Sequence, residues 1–175
     1  MLWASPSAQA ARFAALARWC DLDRRTILDA GCGRADLLDY LLHVGIEPAK
    51  YIGIEAVEAI AFEAEKKSRP MARIVVGDFI ENPALLDQQA DVVVFCGSLN
   101  TLSTEEFYQS LKIGWEKARR ELAFNFLCSP RLASAKHLTW HRISDVLALA
   151  QGLTKDVVMD DGYREGDCTM VMRKI

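Results

Sequence analysis

The stretch TILDAGCGRADLLDYL, residues 26–41, sets an apolar run before a carboxylate, two glycines one residue apart, a second carboxylate and a leucine pattern of helical period. Thr26-Ile27-Leu28 reads as a buried strand, and Gly31 and Gly33 as a sharp turn that glycine makes without strain. Leu37, Leu38, Leu41, Leu42 and Val44 then form one face of a helix. Gly45 and Pro48 stop that helix, and Tyr51-Ile52-Gly53-Ile54 follows as a strand, completing one βαβ unit.

The alternation extends in both directions. Upstream, Ser5-Pro6 is an N-cap with proline at the first helical position, and Phe13, Leu16, Ala17 and Cys20 make an apolar stripe to about residue 20. Downstream come a helix over about 57–68, a strand at 72–76 and a short helix after Asn82-Pro83. The continuous apolar run at 91–96 marks a parallel strand covered on both faces, hence a central one. Ser103-Thr104-Glu105-Glu106 is a capping box, with Phe107, Leu111, Trp115, Ala118 and Leu122 on one stripe of the helix it starts. A strand at 122–127, a helix on Ile143, Val146, Leu147 and Ala150, and two strands at 156–159 and 169–172 complete the series. The pattern predicts an α/β fold: a single doubly wound, mostly parallel seven-stranded sheet with helices on both faces and a C-terminal antiparallel β-hairpin. One domain over 1–175 is expected, with 1–20 as an N-terminal helix and lid candidate and 21–175 as the core. Residues 97–103 and 129–142 are further lid candidates.

A net charge of −3 over 175 residues disfavours a protein that holds nucleic acid by neutralising phosphates. The five cysteines are widely spaced, with no CxxC, and support neither a disulfide framework nor a zinc site. Arg12 and Arg18 interrupt the apolar N-terminus before a signal peptide or membrane span could form. A cytoplasmic protein without metal or membrane partners is expected.

In such sheets the ligand lies at the carboxyl ends of the strands, where strand order reverses, and residues 29–36 occupy that place. A P-loop is absent. A dinucleotide turn needs a third glycine, and here that position is Asp36, a carboxylate where pyrophosphate would sit. Asp29 adds a second negative charge, which suits a ligand with a cationic end. S-adenosylmethionine, with a sulfonium and an α-ammonium, fits better than NAD.

Residues 27–33, with Ala35 as a third small residue, resemble the first motif of class I S-adenosylmethionine-dependent methyltransferases, a likeness that runs from Asp29 to the final hairpin. The resemblance implies a cofactor site made of Asp29, Gly31, Cys32 and Gly33, with Glu55 and Ala56 at the ribose. It places Gly77, Asp78 and Phe79 at the adenine, and Cys96, Gly97 and Ser98 beside the methionine and methyl group. Leu99 and Asn100 would border the acceptor. His137, Trp140 and His141 lie in a connection that borders the acceptor pocket in this family, so His137 or His141 is a candidate base and Trp140 a pocket wall. The expected activity is methyl transfer to a small-molecule acceptor by in-line displacement. The alternative is a cofactor-binding or scaffold protein of this type without catalysis. Asp160, Asp161, Glu165 and Asp167 read as a solvated hairpin tip.

Overall fold

A computed structural model describes residues 5–67, 69–133 and 135–175. Residues 1–4 of the expected N-terminal helix, and Ser68 and Ser134, lie outside the described residues. Helix α1 spans Pro6–Trp19, and the Ser5 side chain accepts from the Ala8 N–H as its N-cap. The chain continues through β1 (Thr26–Ala30), α2 (Asp36–His43), β2 (Lys50–Glu55), α3 (Glu58–Glu65) and β3 (Ala72–Val76). A 3₁₀ turn at Pro83–Leu86 leads to β4 (Val92–Phe95), α4 (Thr104–Lys117), β5 (Glu121–Leu127), α5 (Ile143–Leu153), β6 (Asp156–Asp160) and β7 (Asp167–Arg173).

The elements form the single seven-stranded sheet that their alternation predicts, in the order β3-β2-β1-β4-β5-β7-β6. The first five strands pair in parallel, whereas β7 runs antiparallel to both β5 and β6. Every residue of β4 is buried, as a strand with helices on both faces requires. Side chains alternate between two cores. Ile27, Tyr51, Val92 and Val94 pack with Phe13, Leu16, Leu38 and Leu41 under α1 and α2. Leu28, Ile52, Val93 and Phe95 pack with Phe107, Leu111, Val146 and Ala150 under α4 and α5.

One expectation needs correction. Helix α4 ends at Lys117, so Ala118 is its C-cap and Leu122 belongs to β5. The apolar stripe continues past the helix only because the following strand enters the same core.

After β3 the chain crosses back over the sheet to place β4 on the other side of β1. The loops leaving β1 and β4 therefore diverge, and a crevice opens at their carboxyl ends.

Candidate functional site

The crevice is a cavity of about 390 Å³ that runs across the carboxyl ends of the strands, within the usual range for small-molecule sites. Glu55 and Asp78 line it beyond β2 and β3, Gly31 and Ser98 at the switch between β1 and β4, and Leu127 at the end of β5. Arg12 of α1 and Arg164 of the β6–β7 turn also line it.

The middle of the site is a matter of backbone approach. Gly31 has φ +81°, and a Cβ there would overlap the Ser98 side chain. The Gly31 and Cys32 N–H groups both donate to the Ile54 carbonyl, at 2.8 and 2.9 Å, and Ser98 Oγ donates to the Ala30 carbonyl at 2.6 Å. These bonds tie the ends of β1, β2 and β4 into one rim. Glu55 is buried, with Oε2 accepting from Gly33 N–H at 3.0 Å and Oε1 from Val57 N–H at 2.9 Å. A carboxylate has about four lone-pair positions, so acceptor capacity remains on both oxygens. Asp78 Oδ1 accepts from Ile80 N–H at 2.8 Å, which turns that carboxylate toward the cavity rim.

Asp29 lies behind this rim. It is buried, its Oδ2 accepts from the Tyr51 hydroxyl at 2.5 Å, and its Oδ1 has no hydrogen-bond partner among the described residues. Burial pushes its carboxyl up to about 7, against the Tyr51 hydrogen bond that lowers it and with Glu55 and Asp36 nearby that raise it. Asp29, Cys32 and Cys96 border a small recess next to Gly31, separate from the main cavity. Burial also raises both thiols, Cys96 to about 12, so neither is a thiolate. Asp36 rims the recess, but its charge is engaged: Lys67 Nζ lies 2.8 Å from Oδ1, and Gln9 donates to Oδ2 at 3.2 Å. Its repulsion of an anion is correspondingly weaker than the sequence alone implies.

The opposite end is cationic, which sequence patterns did not anticipate. Arg12 is buried, with Nε and Nη2 at 2.7 and 2.5 Å from Asp167 Oδ2, and Asp167 itself has no exposed side-chain surface. Tyr163 donates to Asp167 Oδ1 at 3.1 Å, and Thr169 donates to Tyr163 at 3.0 Å. Arg164 Nη1 lies 3.6 Å from Asp167 Oδ2. The expectation of a solvated hairpin tip is therefore wrong for Asp167, and Asp160 accepts from the Trp19 indole at 2.7 Å. One sequence signal does exist: Arg12 falls among Ala8, Ala15 and Leu16 on the buried face of α1, where a charge needs a buried partner.

Of the expected site residues, the cavity gathers Gly31, Glu55, Ala56, Asp78, Phe79, Gly97, Ser98 and Asn100. Gly33 acts through its N–H on Glu55, and Gly77 is closed off by Leu85, which a Cβ would strike. The acceptor-side expectations need correction. Leu99 is wholly buried in the core, and the side chains of His137 and Trp140 are exposed without lining the cavity. His141 is buried against Phe107, ring centroids 3.8 Å apart, because an imidazole at this position completes an aromatic cluster with Tyr108. The 129–142 connection reaches the cavity instead through Leu132 and Leu138, held in place by Thr139 N–H on the Asn100 carbonyl.

Among the described residues, no group of three or more His, Cys, Asp or Glu is placed to hold a metal, and no helix is long and apolar enough to cross a membrane.

A family model described as a methyltransferase domain matches residues 27–114, half of the chain. Among solved structures, magnesium protoporphyrin IX methyltransferase from Synechocystis PCC 6803 with bound SAH superposes with a TM-score of 0.72 at 17% identity, over 97% of this chain and 84% of its own. A SAM-dependent methyltransferase from Archaeoglobus fulgidus gives 0.71 at 18% identity, over 95% of this chain and 94% of its own. Human N-acetylserotonin methyltransferase in complex with SAM gives 0.73 at 12% identity, over 93% of this chain and 51% of its own. At these identities the likeness is one of fold. No curated protein matches the sequence.

Proposed function

The chain belongs to the methyltransferase-domain family as a class I S-adenosylmethionine-dependent methyltransferase, and from that premise we propose that it methylates a small molecule in the cavity described above. The observation that carries the assignment is convergence: Gly31, Glu55, Asp78 and Ser98 leave four different strands and line one cavity. The residues fit the donor at two further points. The Gly31 turn passes so close to Ser98 that a Cβ would strike the serine, which leaves backbone alone at that point of the cavity, and the unpartnered Asp29 Oδ1 suits a cationic group next to that turn.

On this proposal Glu55, held by two backbone N–H groups, accepts from the ribose hydroxyls beside Ala56. Asp78 and the Phe79 backbone take the adenine. Gly31, Gly33, Asp29 and Cys32 face the amino-acid end, and Cys96, Gly97 and Ser98 flank the methionine. When bound, S-adenosylmethionine supplies a methyl group on a sulfonium, already a good leaving group. The protein's share is then alignment and exclusion of water. Leu102, Leu127, Leu132 and Leu138 line the cavity and give the acceptor an apolar bed. None of His43, His137 and His141 lines it, so no imidazole is assigned as base. Helix α1 acts as a wall rather than a lid, because the Arg12–Asp167 and Trp19–Asp160 contacts tie it to the terminal hairpin.

Calorimetry with S-adenosylhomocysteine and with NAD tests the donor site. One-to-one binding of the former alone is expected, weakened about tenfold in Glu55→Gln through loss of charge-assisted hydrogen bonds. Absence of heat with S-adenosylhomocysteine would overturn the assignment.

A further inference from the structure

We infer that the acceptor carries an anionic group, a carboxylate or a phosphate, that docks on Arg164 at the cationic end of the cavity. The inference rests on the donor assignment above for the opposite end.

Four observations converge. First, charge is separated along one cavity: its acids, Glu55 and Asp78, stand at the ends of β2 and β3, and its guanidiniums, from α1 and the β6–β7 turn, meet at Asp167 beside the end of β5. Second, the cationic end carries a surplus. Arg12 and Arg164 both stand beside Asp167, whose Oδ2 is engaged by Arg12 and whose Oδ1 accepts from Tyr163. Third, the donors of Arg164 are uncommitted. Its side chain is 26% exposed, its nearest acid is 3.6 Å away, and its guanidinium makes no hydrogen bond among the described residues. A planar guanidinium with available N–H groups matches a carboxylate or phosphate edge in bidentate fashion.

Fourth, the backbone that carries Arg164 is fixed. Asp167 N–H donates to the Arg164 carbonyl at 3.1 Å, and Cys128 N–H donates to the Gly166 carbonyl at 2.8 Å, which clips the turn to the end of β5. Leu132 and Leu138 line the same cavity, so an anion here would meet the guanidinium against an apolar wall, where the field is stronger than in water. The structure thus specifies an acceptor with an apolar body and one charged end.

The donor's own methionine carboxylate is the competing anion. Arg12 is buried with two of its nitrogens on Asp167, so Arg164 is the guanidinium with donors turned to a ligand. The test therefore turns on Arg164.

Protein saturated with S-adenosylhomocysteine is titrated with benzoate, phenyl phosphate and the neutral control benzamide, with binding read by ligand-observed NMR. Benzoate or phenyl phosphate should bind at least tenfold more tightly than benzamide, and whichever is preferred identifies the anion. Arg164→Ala should abolish that preference and Arg164→Lys should keep part of it, both with S-adenosylhomocysteine affinity within twofold of the parent. Circular dichroism checks that the variants fold. Equal binding of the three probes, no binding of either anion, or an unchanged preference in Arg164→Ala overturns the inference. So does an Arg164→Ala variant that loses S-adenosylhomocysteine affinity instead, since the guanidinium would then serve the donor. If the parent protein takes up no S-adenosylhomocysteine, the donor assignment fails by itself, and the same three titrations on the unliganded protein still decide whether Arg164 selects an anion.

Discussion

The two ends of the cavity are built by different means. At the β1–β3 end, function is carried by backbone geometry at the ends of successive strands: Gly31 and Gly33 turn, Glu55 is held by the Gly33 and Val57 N–H groups, and Asp78 is held by Ile80. At the β5–β7 end it is carried by side chains from the two extremes of the chain, with Arg12 and Asp167 separated by 155 positions. The first kind of site tolerates the loss of a charge without loss of fold. The second kind couples the site to the stability of the whole sheet, because its charges are buried.

The largest expected effect follows from that coupling. Asp167→Ala removes a buried counter-charge from Arg12 and should cost about 3–5 kcal/mol in urea unfolding. Glu55→Gln, also buried, keeps one of its two backbone N–H bonds on the amide oxygen and turns its NH2 toward the other donor, and should cost about 1–3 kcal/mol. The double variant Arg12→Met/Asp167→Leu, which replaces the pair by apolar side chains, should recover most of the loss. Equal costs for Asp167→Ala and Glu55→Gln would erase the distinction between the two ends.

The same difference explains what could be read from the sequence. The sheet, its central strand β4 and the terminal hairpin follow from local periodicity, and the β1–β3 end follows from a glycine turn with acids at the ends of successive strands. All of that information lies within a few residues of each feature. Arg164 and Asp167 are three residues apart, but Arg12 joins them across 155 positions, through the packing of α1 on β7, and no local signal marks that pairing. The candidate base His141 misled for the converse reason. Its place in sequence suggests the cavity, yet the same side chain stacks well on Phe107, and burial of an aromatic face against the core decided its direction.

A second, intermediate effect concerns Asp29, at the locally built end. Burial raises its folded-state carboxyl from the ordinary value of roughly 3.9 to about 7. Its contribution to stability is then fully present below the unfolded value and is lost as pH rises through the folded one. Between pH 5 and 8 the parent should lose on the order of 2 kcal/mol from this group, a slope absent in Asp29→Asn. Affinity for S-adenosylhomocysteine should change in the opposite sense, rising as Asp29 ionises and attracts the ammonium. Calorimetry at pH 6 and pH 8 checks it, and a flat profile for the parent protein would remove Asp29 from the cofactor site.

The smallest effect separates His141 from both ends. Burial lowers its imidazole from the usual range, only partly offset by Asp145, and Nε2 has no hydrogen-bond partner among the described residues. A depressed histidine contributes stability that is present above its unfolded value of about 6.5 and is lost as pH falls below it. This slope is opposite in sign to that of Asp29, so the two are separable in single variants. His141→Phe should preserve the stack on Phe107 and remove the acid limb, a change under about 1 kcal/mol between pH 7 and 5 in urea unfolding. Methyl transfer at neutral pH should survive in this variant, because a ring that lines no part of the cavity cannot take a proton from the acceptor. A kcat reduced a hundredfold with an intact fold would instead return His141 to the chemistry and give the cationic end a base that its geometry does not now contain.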